Sequence, residues 1–223
     1  MAEIPRGGAD PTINEPYLDP DFHYWQEIFE RPGREIYDRR HEILQALNLK
    51  PGMWVADVGA GTGLFTRLFA TRVTEKGRVF AVDISEEFIS NIVQIAKDSG
   101  QTNIEGVVNS QTSLGLQPNS IDIAFVCDTY HHFEDPKAML SSFNRSLKPG
   151  GRLIIIDYRK LRGFSSSWIM EHVRLDKMGV IKEVQQAGFR LLGEESFLRA
   201  NYFLKFIKDS SKIAPYSSIS DSG

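Results

Sequence analysis

From residue 53 to residue 158, apolar runs of strand length alternate with segments of helical period, and few folds accommodate that alternation. The strand-like runs are "MWVADV", "GRVFAVDI", "IEGVVN", "IDIAFVCD" and "GRLIIIDY". The segments between the first three, and between the last two, read as helices. Leu64, Phe65, Leu68 and Phe69 mark one of them. "EEFISNIVQIAKDSG" marks the next, with Ser85 as N-cap and Gly100 as stop. "DPKAMLSSFNRSLKPGG" places Asp135 at a cap, Pro136 at the first helical position and Pro-Gly-Gly at the end. Strands this uniformly apolar are buried on both faces, so helical crossovers should cover a mostly parallel sheet on both sides. The C-terminal runs "GFRLLGEESF" and "NYFLKFIKD" are too close together for a crossover helix and predict an antiparallel hairpin at the sheet edge. The expected class is α/β, a doubly wound, mostly parallel seven-stranded sheet with that hairpin and an N-terminal helical cover.

The cover is expected from "DFHYWQEIFERPG" and "REIYDRRHEILQALNL", where Ile36, Ile43, Leu44 and Leu47 fall on one helix face and "KPG" stops the second helix. One domain then spans 21–209, with its N-terminal helices in 21–49. Residues 1–20 and 210–223 are poor in large apolar side chains and are expected to be disordered. At 223 residues the chain suits one such domain. Its 26 basic and 29 acidic residues give a net charge of -3, with no general attraction to nucleic acid or anionic lipid. Short basic clusters such as Arg39 and Arg40 read as solvated surface. The single cysteine, Cys127, lies in an apolar run and reads as a core residue in a reducing compartment. The chain shows no signal-peptide pattern and no apolar stretch of membrane-helix length. A cytoplasmic protein with no membrane span and no nucleic-acid partner is expected.

In a doubly wound sheet, ligands bind outside the carboxyl ends of the strands, where successive connections part. "DVGAGTGLF" falls there. Gly59, Gly61 and Gly63 allow a tight turn and close backbone approach to a ligand, and Ala60 and Thr62 lie between them. Asp83, twenty positions past Gly63, ends the second strand run, where it can accept hydrogen bonds from ribose hydroxyls. The spacing is GxGxG, with Leu64 where a dinucleotide motif has its third glycine. An acidic Asp57 just before the loop suits a ligand bearing an ammonium and a sulfonium better than a pyrophosphate.

These features, with "NSIDIAFVCDTYHHFEDP", "LKPGGRLIIIDY" and "QQAGFRLL" in order, resemble a class I S-adenosylmethionine-dependent methyltransferase, in the branch of quinone-biosynthesis and other small-molecule enzymes. The likeness spans roughly residues 33 to 208. It implies a Rossmann-like domain that uses S-adenosylmethionine, releases S-adenosylhomocysteine and acts on a small-molecule acceptor. By that resemblance Asp57, Gly59, Gly61 and Gly63 would hold the methionine part, with Ala60 and Thr62 in the same loop. Asp83 would hold the ribose and Ile84 one adenine face. Asp128 and Thr129 would form the floor beside the transferable methyl. Relatives often carry an acidic residue after the third strand to bind the adenine amino group. This chain has "VVNSQTSLGL" instead, and Ser110, Gln111 or Thr112 is left for that task, with Gln111 the favoured candidate.

Methyl transfer from a sulfonium is an in-line displacement that depends on positioning, and a base is needed only for a protonated acceptor. Tyr130, His131 and His132 follow the fourth strand and are the candidates for positioning or deprotonating the acceptor. The bland alternative has one histidine capping the next helix and the other packing. A metal on His131, His132, Glu134 and Asp135 is disfavoured, because adjacent side chains diverge and no distant Cys or His cluster supports them; no metal is expected. Asp157, Tyr158, Glu171, His172 and Arg174 could line an acceptor pocket, or His172 could simply pair with Asp176 along a helix. The aromatic segment His23, Tyr24, Trp25, Phe29 and Tyr37 reads as an amphipathic cover that could serve as a lid.

Several other functions compete. A nucleic-acid methyltransferase would carry an Asn/Asp-Pro-Pro-aromatic motif after the fourth strand, where this chain has "DTYHHF". An arsenite methyltransferase would need several cysteines. A non-catalytic S-adenosylmethionine-binding module remains open, and a nicotinamide oxidoreductase is disfavoured by the glycine spacing.

Overall fold

The computed structural model describes residues 7–209. Seven strands form one sheet in the order β3-β2-β1-β4-β5-β7-β6. They are β1 (Trp54–Val58), β2 (Arg78–Asp83), β3 (Ile104–Val108), β4 (Ile121–Cys127), β5 (Leu147–Tyr158), β6 (Phe189–Glu195) and β7 (Asn201–Lys208). The first five are parallel, and β7 pairs antiparallel with both β5 and β6. The hairpin therefore does close the edge, with its second strand inserted between the first and the parallel body. Insertion is physically favoured because "NYFLKFI" is apolar on both faces, and β6, which alternates in burial, takes the half-solvated edge.

The helices are α1 (Glu15–Leu18), α2 (Phe22–Phe29), α3 (Glu35–Asp38), α4 (Arg40–Ala46), α5 (Leu64–Val73), α6 (Glu86–Asp98), α7 (Pro136–Ser146), α8 (Ser167–His172) and α9 (Lys177–Gln186). Ser85 caps α6 and Asp135 caps α7, each accepting from a backbone N–H, as their positions in the sequence imply. The run 34–49 breaks at Arg39 into two short helices. No helix crosses between β3 and β4; that connection is a loop with one bridge, Ser110 to Ser113.

Alternation along β1 divides the interior. Val55 faces a cluster with Phe65, Phe69 and Phe125 under α4 and α5. Ala56 and Val58 face one containing Phe143, Val184 and Phe189 under α7 and α9. In the first, Phe125 packs its ring 4.8 Å from Phe65 and 5.1 Å from Phe69. Among the described residues no helix is long and apolar enough to cross a membrane.

The expectation of disorder over 1–20 fails from residue 7 onward. Residues Pro11–Asn14 form a 3-10 turn, capped by Asp10, that runs into α1. The segment is anchored mainly by polar contacts to the turn after β4, with the Tyr17 ring against Trp25 and His132, and composition therefore does not reveal it. Ala9 N–H donates to Phe133 O at 2.9 Å, and buried Asn14 donates to His132 O and Glu134 Oε1. Residues 1–6 and the proposed tail 210–223 lie outside the described residues.

Phe125 is fully buried, so Phe125→Ala leaves a cavity at the centre of the sheet. It should lower unfolding free energy by about 3–5 kcal/mol in a urea titration. A loss well below 1 kcal/mol would mean that α5 does not pack on β4 as described.

Candidate active site

β1 and β4 lie side by side, and their connections leave in opposite directions along the sheet. The carboxyl ends of these strands therefore open into a cleft, as the doubly wound topology requires. A cavity of about 450 Å³ fills it, within the size range of small-molecule sites.

The glycine loop forms the wall on the β1 side. Gly59, Gly61 and Gly63 all have positive φ, which excludes ordinary side chains without strain. Gly59 is also constrained by space: a Cβ there would come within 2.3 Å of the Thr129 side chain. Gly59 and Ala60 N–H both donate to Val82 O, tying the loop to β2. Asp57, Gly59, Ala60, Gly61, Thr62, Asp83, Ile84, Gln111, Asp128 and Thr129 line the cavity, so the structure brings together ten of the residues named from the sequence. Gly63 is the exception. It is the left-handed residue before α5, and a Cβ there would meet Ile92; it shapes the turn instead of lining the cavity.

Asp57 and Asp83 are both buried carboxylates. Burial pushes Asp57 up to about 7, opposed by the Thr66 hydroxyl that donates to it at 2.6 Å. Burial likewise pushes Asp83 up to about 6 against the N–H groups of Gly61, Ser85 and Ile84. Carboxylates held near neutrality by desolvation gain from a cationic or hydroxyl-bearing partner, which restores solvation. After β3, Asn109, Ser110 and Gln111 reach the cavity; Thr112 does not line it.

α2 roofs the loop. Phe29 lies 3.3 Å from where a Gly61 Cβ would stand, and Glu30 holds both Thr62 Oγ1 and Arg67. Trp25 and Phe29 line the cavity, whereas His23 and Tyr24 are exposed and Tyr37 lies outside it, with the Arg40 guanidinium over its ring. Arg34 reaches across to Asp128 at 2.6 Å, and Asn201 Nδ2 donates to the other oxygen of the same carboxylate. Asp128 itself has φ +50°, an uncommon conformation for a residue with a side chain. Arg34, Asn14 and Asn201 are not legible in the sequence, since their partners lie 73 or more positions away and nothing in their spacing marks them.

At the far end stand the histidines. His131 is buried, with its Nδ1 2.7 Å from Asp157 Oδ1 and its N–H donating to Asp157 Oδ2. Burial opposes its protonation, yet the Asp157 carboxylate outweighs this and its pKa rises. For His132 burial wins, helped by the neighbouring His131 and His172, and the value falls to about 2. Contrary to the expectation that adjacent side chains diverge, the His131 and His132 rings lie 4.2 Å apart in a 3-10 turn. His172 joins them from the end of α8, stacked on Trp168, and does not pair with Asp176, which caps α9 instead. Glu134 holds Asn14 and Asp135 caps α7, so neither faces this cluster. Tyr130 departs from its candidate role: its ring is buried and its hydroxyl donates to Glu183 at 2.5 Å, beside Arg174 and outside the cavity. Within this turn the Tyr130 ring packs into the core against Phe133 while the two histidines lie together at the cavity.

Residues 56–155 match a family model described as a methyltransferase domain. Over 129 residues the chain is 32% identical to the ubiquinone/menaquinone biosynthesis C-methyltransferase UbiE of Shewanella sp. (strain W3-18-1), covering 57% of this chain and 51% of that protein. The chain thus spans about half the length of the curated relatives it matches. The structure is similar to a SAM dependent methyltransferase from Aquifex aeolicus, with 26% identity, a TM-score of 0.71 and coverage of 89% and 98% of the two chains. It is also similar in fold to the cyclase SpnF, at 16% identity, a TM-score of 0.72 and coverage of 94% and 99%. With the glycine loop and the strand order, these likenesses show a methyltransferase domain match over 56–155 and a Rossmann-like fold similar to S-adenosylmethionine-dependent methyltransferases, resembling the quinone-biosynthesis enzymes.

Proposed function

We propose that the protein transfers the methyl group of S-adenosylmethionine to a nucleophilic atom of a small molecule. The observation that carries this is the division of one cavity into two chemistries. Backbone amides and the Asp57 and Asp83 carboxylates stand at one end, and imidazoles with Tyr158 and Trp168 stand at the other. The first end suits the ammonium and ribose of the cofactor. The second is lined by apolar rings, which disfavour the sulfonium charge that the reaction removes.

In the proposed step an acceptor lone pair forms the bond to the methyl carbon. The carbon–sulfur pair leaves with sulfur, giving S-adenosylhomocysteine. An acceptor proton, where there is one, passes to His131. Its Nδ1–H is held by Asp157, which leaves Nε2 as the accepting nitrogen, and its raised pKa makes it a better base than His132. Thr129 and Asp128 stay in the floor role, with Arg34 and Asn201 fixing the carboxylate. A small acceptor is favoured because α2 roofs the cavity and a net charge of -3 provides no general attraction to a polyanion. The cyclase with the same fold keeps a second reading in play, in which the cofactor is bound and no methyl group moves.

Calorimetric titration with S-adenosylhomocysteine should show saturable binding, and an identical titration with NAD none. Binding of NAD alone would overturn the proposal. Asp83→Ala should weaken S-adenosylhomocysteine binding by about 1–3 kcal/mol through lost charge-assisted hydrogen bonds; an unchanged Kd removes Asp83 from the ribose role. Since Asp83 titrates at about 6 and must be ionised to accept from both hydroxyls, binding should weaken as pH falls. Its share is roughly fourfold between pH 7.5 and 5.5, and Asp57, at about 7, adds to it in the same direction. Affinity that rises on acidification would contradict the assignment. Mass spectrometry of acceptor screens with labelled methyl donor then separates catalysis from binding alone.

A further inference from the structure

We propose that His131, His132 and His172 form a binding site for a divalent transition-metal cation of the zinc type at the acceptor end of the cavity. Each offers one ring nitrogen, and these nitrogens lie within 4.8 Å of one another. They come from two places, the turn after β4 and the end of α8, which only the fold brings together.

The hydrogen bonds behind the rings fix which nitrogens are free. Asp157 accepts from His131 Nδ1–H, so the His131 lone pair is on Nε2. A buried carboxylate behind a ligand imidazole is the arrangement that orients metal-binding histidines and raises their basicity. Asn14 does the same for His132. Its Nδ2 donates to His132 O and Glu134 Oε1, which fixes the amide, so Oδ1 is left to accept from His132 Nδ1–H at 3.0 Å. His132 too then presents an unprotonated Nε2. His172 Nε2 is buried and has no hydrogen-bond partner, a cost that a ligand bond would remove.

Three neutral imidazoles with no carboxylate among them select a borderline cation over magnesium or calcium. Three protein ligands on a cavity wall match the catalytic type of zinc site, in which a further position is open to water or substrate. Zinc–nitrogen bonds of about 2.0–2.1 Å require the rings to close in from their present spacing. The cation site stands on this geometry alone. That its open position takes an acceptor oxygen rests on the methyl-transfer proposal. With a cation bound, His131 would serve as a ligand and not as the base, and the cation would lower the pKa of an acceptor hydroxyl held at its open position.

The test is a titration of chelator-treated, full-length protein with zinc chloride, beside one with cobalt(II) chloride read by visible absorption. S-adenosylhomocysteine binding is measured on the same preparation. Zinc should bind at about one equivalent per chain, and His172→Ala and His132→Ala should each weaken it at least tenfold with unchanged circular dichroism. The cobalt absorption should vanish in both variants. His172 sits on a short helix at the cavity wall, so that variant decides the matter should His132→Ala unfold. Absence of saturable zinc binding, or affinity within twofold of the parent in a folded His172→Ala, overturns the site. Cofactor binding without zinc binding removes only the cation site. Zinc binding without cofactor binding removes the methyl-transfer proposal and leaves the cation site standing.

Discussion

Parallel pairing of β1 with β4 at the middle of the sheet is the constraint from which the rest follows. Each strand feeds a crossover that must return on its own side, so the chain leaves β1 toward β2 and leaves β4 toward β5. The backbone parts there and cannot refill the gap. The candidate site groups lie at that opening: the glycine loop after β1, Asp83 at the end of β2, and the turn carrying Asp128, His131 and His132 after β4. A parallel sheet buried on both faces also explains why these polar groups are confined to strand ends. Inside the strands, a polar side chain needs a partner of its own to offset burial, as Asp57 has in Thr66.

The loop is bound by close contacts that leave little freedom for substitution. Gly59 faces Thr129 from the turn after β4, Gly61 faces Phe29 from the roof, and Gly63 turns the chain into α5 against Ile92. The same residues that would admit a ligand to the backbone also join β1, α2 and β4. Two buried carboxylates nearby, raised by desolvation, would be stabilised by a cationic or hydroxyl-bearing ligand.

The opposite end of the cavity depends on groups whose roles differ despite adjacency in sequence. Tyr130, His131 and His132 occupy one turn, yet the first is spent on Glu183 in the core, the second on Asp157, and the third on Asn14. Asn14 belongs to a segment that composition assigns to disorder. Its contribution is made by an amide in a polar pocket, and hydrophobic content is silent about such anchors.

The sheet, its helices and the cofactor loop were legible in the order of residues because each rests on local rules. Apolar runs make buried strands, Ser85 and Asp135 cap helices, and glycines at alternate positions permit positive φ. The insertion of β7 beside β5, the Arg34–Asp128 pair and the meeting of His131, His132 and His172 had to await the tertiary structure. Such contacts join residues from 34 to 201 through no periodicity of their own. They are decided by which strand ends and loops the sheet topology brings to one opening, and that depends on the packing of the whole chain.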